Sequence, residues 1–270
     1  MLIKLFQLLI KVCNSNKELI LSPTRTLAIF NQAGGVGKSS LTRDLGYELT
    51  QHNLKVLLVD ADPQASLTEF LGLNTDQLEH SLFEAIIHRE SLPIHSIHGM
   101  DLVPATIDLA TADFLLNAEI GRELRLRETL RAVKDNYDFI IIDAPPSLGN
   151  ISINVLVAAD EILIPVQCEI KALRGTKHLF DTIEKVRLLN PNLKIAGIVP
   201  TLLDIRTRLN TETYEVIQTR FGSRLTVFPP VRRGVAFAEA AARAMPVQLH
   251  APKFEGNSDI KKLVEGLLNG

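Results

Sequence analysis

The chain has 270 residues, 46% of them hydrophobic, with no Trp and a formal net charge of −2. That length suits one large α/β core, and the near-neutral charge excludes a global attraction to nucleic acid or membrane, leaving only local patches. The two cysteines, Cys13 and Cys168, form no CxxC pair or His/Cys cluster, which argues against a disulfide framework or structural zinc and for a reducing, cytoplasmic setting.

Residues 1–25 read as an N-terminal extension. Positions 2–13, LIKLFQLLIKVC, are apolar except for Lys4, Gln7 and Lys11 on one helical stripe, and Asn-Ser-Asn at 14–16 separates them from the first strand. The stretch lacks the small-residue cleavage site of a signal peptide. Its polar stripe is narrow and weakly basic, which favours a bland extension over a helix lying on a membrane. Nowhere does an apolar run approach the roughly 20 residues of a membrane span.

Residues 26–270 then read as one domain. Apolar runs predict strands over 27–30, 56–59, 102–104, 139–142, 161–165, 195–199 and 225–227. Between them, helical periodicity predicts helices over 39–51, 66–71, 79–88, 110–117, 119–135, 150–158, 172–189, 210–221, 235–244 and 257–268. This alternation predicts an α/β fold, a mainly parallel twisted sheet flanked by helices. In the last helix Ile260, Leu263, Val264, Leu267 and Leu268 share one face, with Lys261 and Lys262 its only basic residues. Such a face docks on a sheet rather than on lipid.

Residues 31–40, NQAGGVGKSS, stand between the first strand and the first helix. Three close glycines at a strand-to-helix junction let successive N–H groups turn toward an anion at the helix N-terminus. Gly34, Gly35, Val36, Gly37, Lys38, Ser39 and Ser40 are therefore candidates for holding phosphates, with Lys38 neutralising charge and Ser39 holding Mg²⁺. The strict eight-residue pattern asks for glycine at position 32, where this chain has Gln32.

In an open parallel sheet, ligand-binding residues gather beyond the carboxyl ends of the strands. Asp60 and Asp62 follow the second predicted strand and Asp143 follows the fourth. An acidic residue beside a phosphate loop holds Mg²⁺ through its water shell, the role that fits Asp143. Of Asp60 and Asp62, one can hold the loop or cap the helix after it while the other orients an attacking water.

The segments Gly34-Gly35-Val36-Gly37-Lys38-Ser39, Val59-Asp60-Ala61-Asp62-Pro63-Gln64, Ile142-Asp143-Ala144-Pro145-Pro146, Pro165-Val166-Gln167-x-Glu169 and Phe237-Ala238-Glu239-Ala240 resemble, in the same order, the motifs of the ParA/MinD ATPases with a deviant Walker A loop. The likeness is strongest to the ParA branch, spans about residues 26–268, and extends to Thr201-Leu202-Leu203-Asp204-Ile205-Arg206-Thr207-Arg208.

The resemblance implies a P-loop NTPase fold and a Mg²⁺-dependent ATPase that closes into a homodimer around two ATP molecules. It implies non-specific binding to double-stranded DNA, a cytoplasmic, nucleoid-associated protein, and release after hydrolysis stimulated by a ParB-like or McdB-like adaptor on a plasmid, chromosome or other cargo. Carried over by motif, Lys38 grips phosphate, Ser39 and Asp143 serve the metal, Asp62 helps activate the water and Asp60 supports it. Pro230 joins the nucleotide-binding set.

One departure stands out. The family's signature lysine, which would reach the ATP of the other subunit, is replaced by Ala33. A subgroup without that lysine occurs among McdA-like proteins that distribute carboxysomes. Two polyanions facing one another in a desolvated interface need a cation, and Lys171, with Arg174 as second choice, is the candidate.

Clustered cations for duplex DNA are Arg206 and Arg208, Arg220 and Arg224, and Arg232, Arg233 and Arg243, all in the C-terminal third. Few aromatics accompany them, which favours backbone contacts over base stacking. Two alternative functions ask for residues of a different kind. A MinD-like membrane-cycling ATPase calls for a basic, bulky-apolar C-terminal tail, and an iron–sulfur reductase calls for paired cysteines that Cys13 and Cys168 do not supply.

Overall fold

Strand β1 (Arg25–Ile29) sends Leu27 and Ile29 into one core and Ala28, with Phe30 just beyond it, into another. A strand buried on both faces belongs inside a parallel sheet. The computed structural model, which describes residues 24–269, places it there. Its partners are β2 (Val56–Asp60), β3 (His95–Ile97), β4 (Met100–Val103), β5 (Phe139–Asp143), β6 (Glu161–Gln167) and β7 (Lys194–Thr201). The order is β3-β4-β2-β5-β1-β6-β7, and every pairing is parallel except β3 with β4.

On one face, α1 (Lys38–Gln51) and α11 (Gly256–Asn269) share a core through Leu41, Leu45, Leu49, Ile260, Leu263 and Leu267. The apolar face of α11 is therefore used up within the fold. The other face carries α3 (Leu82–Ile87), α4 (Leu109–Leu115), α5 (Arg125–Arg131), α6 (Asn150–Ala158), α7 (Ile170–Val186) and α8 (Arg208–Phe221). The remaining α-helices are α2 (Ser66–Phe70), α9 (Val235–Ala242) and α10 (Val247–His250). No described helix is long and apolar enough to cross a membrane.

Three expectations need correction. The run at 225–227 is not a strand: it meets β7 through a bridge between Ile198 and Val227, with Ile198 N and Phe228 N each bonding across at 2.8 Å. Pro229 and Pro230 follow and have no N–H to extend a ladder. The predicted helix over 119–135 is confined to α5 with a single 3₁₀ turn on either side, because Gly121 takes a left-handed φ of 69°. Strand β3 was not expected; three half-exposed residues carry little pattern, and the turn that pairs it with β4 uses positive φ at both His98 and Gly99.

The predicted extension over 1–25, with its amphipathic stretch and Cys13, lies outside the described residues except for its last two positions, where β1 already begins at Arg25.

Candidate functional site

The loop after β1 is pinned before it reaches its glycines. Asn31 Oδ1 accepts from Ala33 N at 2.9 Å while its Nδ2 donates to Pro165 O at 2.6 Å. Gln32 Nε2 donates to Thr182 Oγ1 on α7 at 3.1 Å, which gives that departure from the strict pattern a structural role. Thr201 Oγ1, from the end of β7, donates to Val36 O at 2.9 Å.

Gly35 and Gly37 take φ of 72° and 88°, and Gly37 immediately precedes α1. A Cβ built on Gly34, Gly35 or Gly37 would meet nothing within 4 Å, so the loop surrounds open space. No backbone acceptor takes the N–H groups of Gly34, Gly35, Gly37, Lys38 or Ser39 among the described residues. Unpaired N–H groups around an open hollow at the head of a 14-residue helix make an anion cradle.

Lys38 is buried and its Nζ donates to Ala33 O at 3.3 Å, folding back across the loop. Burial lowers the pKa of its ammonium, opposed by the charges of Asp143 and Asp62.

Because β2 and β5 pair in register with Asp60 beside Asp143, and Ile29 of β1 pairs with Asp143 on the other side, the loop and both acids meet at one sheet edge. Both aspartates are fully buried. Asp60 is occupied: its oxygens accept from Asp62 N at 3.2 Å and from Thr68 N and Thr68 Oγ1 at 2.9 and 2.7 Å. Burial nevertheless pushes its carboxyl up to about 7. Asp143 differs: among the described residues neither of its oxygens has a partner at full hydrogen-bond geometry, although the Ser39 hydroxyl lies close enough to favour its charged form. Burial and then the charge of Asp60 push its carboxyl well above the usual range, more than Ser39 and Lys38 hold it down.

A cavity of about 580 Å³ opens over the loop, walled by Gly34 through Leu41 and by Asp62, Gln64, Pro146, Thr201, Val231 and Phe237, among others. Asp62 reaches this wall; Asp60 does not. Deeper along α1, Asp44 also reaches it. Asp44 is paired with fully buried Arg43 at 2.8 and 2.9 Å and accepts from Val247 N at 2.9 Å, which ties α10 to α1.

A family model described as an AAA domain matches residues 24–195. The sporulation initiation inhibitor protein Soj of Bacillus subtilis (strain 168) is 40% identical over 239 residues, 86% of this chain and 93% of its own length. The chain belongs to the ParA/MinD family of ATPases. The chromosome partitioning protein ParA of Caulobacter vibrioides is 35% identical over 257 residues, 92% of this chain and 95% of its own. Among solved structures, the cobyrinic acid a,c-diamide synthase of Mycobacterium smegmatis, with bound ADP and magnesium, superposes with a TM-score of 0.81 at 35% identity, covering 91% of this chain and 94% of that one.

Within this family member the residues fit a Mg²⁺–nucleotide on their own chemistry. A buried carboxylate short of hydrogen-bond partners, beneath the cavity wall and under the charge of Lys38 and the hydroxyl of Ser39, is costly to ionise unless a cation shares it. Ser39 and Asp143 would serve that cation and the loop would hold the phosphates; when bound, Mg²⁺ supplies charge neutralisation on the phosphate oxygens.

Other expected residues lie elsewhere. Pro230 is off the cavity wall, where its neighbours Val231 and Arg232 stand instead. Arg232 is not a free cation for DNA. Its Nε and Nη2 bond Asp259 at 2.6 and 3.0 Å, its Nη1 bonds Glu255, and these carboxylates raise its pKa. Arg206 is paired with Asp204 and Arg208 with Glu212, both on the surface. Arg220 lies over the ring of Phe221 at 5.4 Å. Arg224, Arg233 and Arg243 are exposed, as is Lys171 on the first turn of α7, off the cavity wall.

Asn31, Gln32 and Thr201, which shape the loop, had no assigned role from sequence. An Asn directly after a strand, ready to bond the backbone two residues on, was the available signal.

Proposed function

We propose that this protein is a ParA-type partition ATPase: it binds ATP and Mg²⁺, hydrolyses ATP, dimerises with ATP bound and positions a cargo on nucleoid DNA through an adaptor protein. The observation that carries the reading is the anion cradle with fully buried Asp143, short of hydrogen-bond partners among the described residues, beside Lys38. ADP and magnesium in the solved synthase, and the partition role named for the Caulobacter relative, support it.

The chemistry divides by position. Loop N–H groups and Lys38 hold the terminal phosphates in line, and Lys38 must let go of Ala33 O to do so. Asp62, on the wall with a carboxylate that among the described residues accepts only from Gln64 N, at 3.0 Å, orients the attacking water. Asp60 keeps that loop in place through Thr68.

Homodimerisation draws support from Phe114, Ile120 and Leu148, which are 79%, 97% and 51% exposed. Leu148 closely follows Pro146 on the cavity wall, and Asp113 anchors α4 beside it, accepting from Asn150 Nδ2 at 2.7 Å and from Ile151 N at 3.0 Å. Exposed large apolar side chains on the loop that runs from the cavity wall at Pro146, and on the helix hydrogen-bonded to it, suit a second copy closing over them.

Lys171 is our candidate for the cation that Ala33 cannot supply, with Arg174 second. The McdA-like carboxysome subgroup is the assignment that best accommodates Ala33. Duplex DNA is assigned to the exposed cluster of Arg206, Arg208 and Arg233, with Arg243 a separate candidate. The protein is then cytoplasmic and nucleoid-associated. Light scattering with ATP and Mg²⁺, with phosphate release measured alongside, tests the reading: an ATP-dependent dimer that turns over supports it, and a monomer that releases no phosphate rejects it.

A further inference from the structure

A second basic cleft lies at the opposite edge of the sheet from the anion cradle, between the end of α5 and the start of β1 and β6. Its volume is about 460 Å³, and Arg127, Arg131, Lys134, Asp160, Asn190 and Asn192 are among its walls. Arg127 and Arg131 are exposed and stand four residues apart on α5, so they line one face and repel each other. Lys134 continues the row beyond the helix end.

The usual structural duties are already filled. The carboxylate of Asp160 accepts from Lys134 Nζ at 3.0 Å and from Thr26 N at 2.8 Å. The carbonyls at the end of α6, which a nearby cation would ordinarily satisfy, are taken by Asn190 Nδ2, which donates to Leu156 O, Val157 O and Ala159 O at 3.1, 3.3 and 2.8 Å. Neither Arg127 nor Arg131 has a carboxylate partner among the described residues. Elsewhere on the surface, Arg206, Arg208 and Arg187 each have one.

We infer that this cleft is a second anion site, taking a ligand with adjacent phosphate groups, one on each of Arg127 and Arg131. Guanidinium groups bind phosphate oxygens in a bidentate fork, and two on one helix face match consecutive phosphates of a single chain better than an isolated anion. Such phosphates come either from a free polyphosphate or from a nucleic-acid backbone. The site is separate from the loop at Lys38 and does not depend on ATP turnover.

The test uses full-length protein already saturated with Mg²⁺ and ADP, so that the loop is filled. Pyrophosphate is titrated by calorimetry, and a fluorescent 20-base-pair duplex by anisotropy at several salt concentrations. At least one probe binds, and R127E/R131E weakens that binding at least about tenfold while reducing the duplex salt slope by about two, one per lost phosphate contact. R127K/R131K retains it, and ADP affinity is unchanged in both variants, which certifies their fold. Binding of pyrophosphate alone identifies a free phosphate ligand, and binding of duplex identifies a nucleic-acid backbone. If neither probe binds the ADP-loaded wild type, or if R127E/R131E leaves both the pyrophosphate affinity and the duplex salt slope at their wild-type values, the inference is wrong; residual duplex binding with the lowered slope belongs to the Arg206, Arg208 and Arg233 cluster.

Discussion

Asp60 Oδ2 takes both the backbone N–H and the hydroxyl of Thr68, at 2.9 and 2.7 Å, and this one carboxylate fixes the turn that carries Asp62 to the cavity wall. Two aspartates two positions apart thus have separate duties. Asp60→Ala leaves the buried Thr68 donors unpaired and costs about 2 kcal/mol of stability, read from urea unfolding. Asp62→Asn keeps near wild-type stability and nucleotide affinity but loses about 100-fold or more in hydrolysis. Equal losses of stability in the two variants would contradict the division.

The same burial makes the ligand-free protein pH-sensitive. With the Asp60 carboxyl pushed up to about 7 from 3.8, the folded state keeps a proton that the unfolded chain has released. Stability therefore falls as pH rises from about 4 to 7, by at most about 1.4 kcal/mol per pH unit from this group. Asp143 shifts in the same direction and adds to the fall. Urea midpoints at pH 5 and 7, without nucleotide or Mg²⁺, should be higher at pH 5, and Asp60→Asn should flatten the difference.

Asp143→Asn should separate stability from function. Replacing a buried carboxyl that is costly to ionise with a neutral amide holds or raises the stability of the ligand-free protein at pH 7 by about 1 kcal/mol. ATP hydrolysis should fall by about 100-fold or more, since the metal loses its buried carboxylate. Thermal unfolding and phosphate release measure the two effects on one sample.

Much of this site was legible because its chemistry is local. The glycine turn, Lys38, Ser39 and the acids after β2 and β5 are each announced by a short segment following an apolar run, and parallel strand order brings such segments together. What stayed hidden depends on distant pairing. Nothing near Arg232 in sequence announces Asp259, whose carboxylate bonds it at 2.6 Å, nor does Gln32 announce Thr182. Strand β3 was too short to show a period, and Pro229 and Pro230 ended a run that had looked like a strand.

The reassignment of Arg232 is itself testable. Arg232→Ala strips a partner from Asp259, whose side chain is 9% exposed, and should destabilise the protein by about 1 to 2 kcal/mol. Arg233→Ala, at an exposed position, should change stability by less than about 0.5 kcal/mol. Chemical denaturation of the two variants decides between a structural and a surface role.

Lys171→Ala should reduce both ATP hydrolysis and ATP-dependent dimerisation while leaving nucleotide binding by the monomer intact, because the side chain lies off the cavity wall of its own subunit. Wild-type turnover and dimerisation in that variant would remove Lys171 from the interface.

The proposed function stands or falls with the loop ahead of Lys38 holding the phosphates of a nucleotide whose magnesium is served by Asp143. Isothermal titration of ADP into folded protein tests it most directly. One site per chain is expected, tightened by Mg²⁺ and lost in Lys38→Ala; no binding to the wild type with Mg²⁺ present would overturn the proposed function.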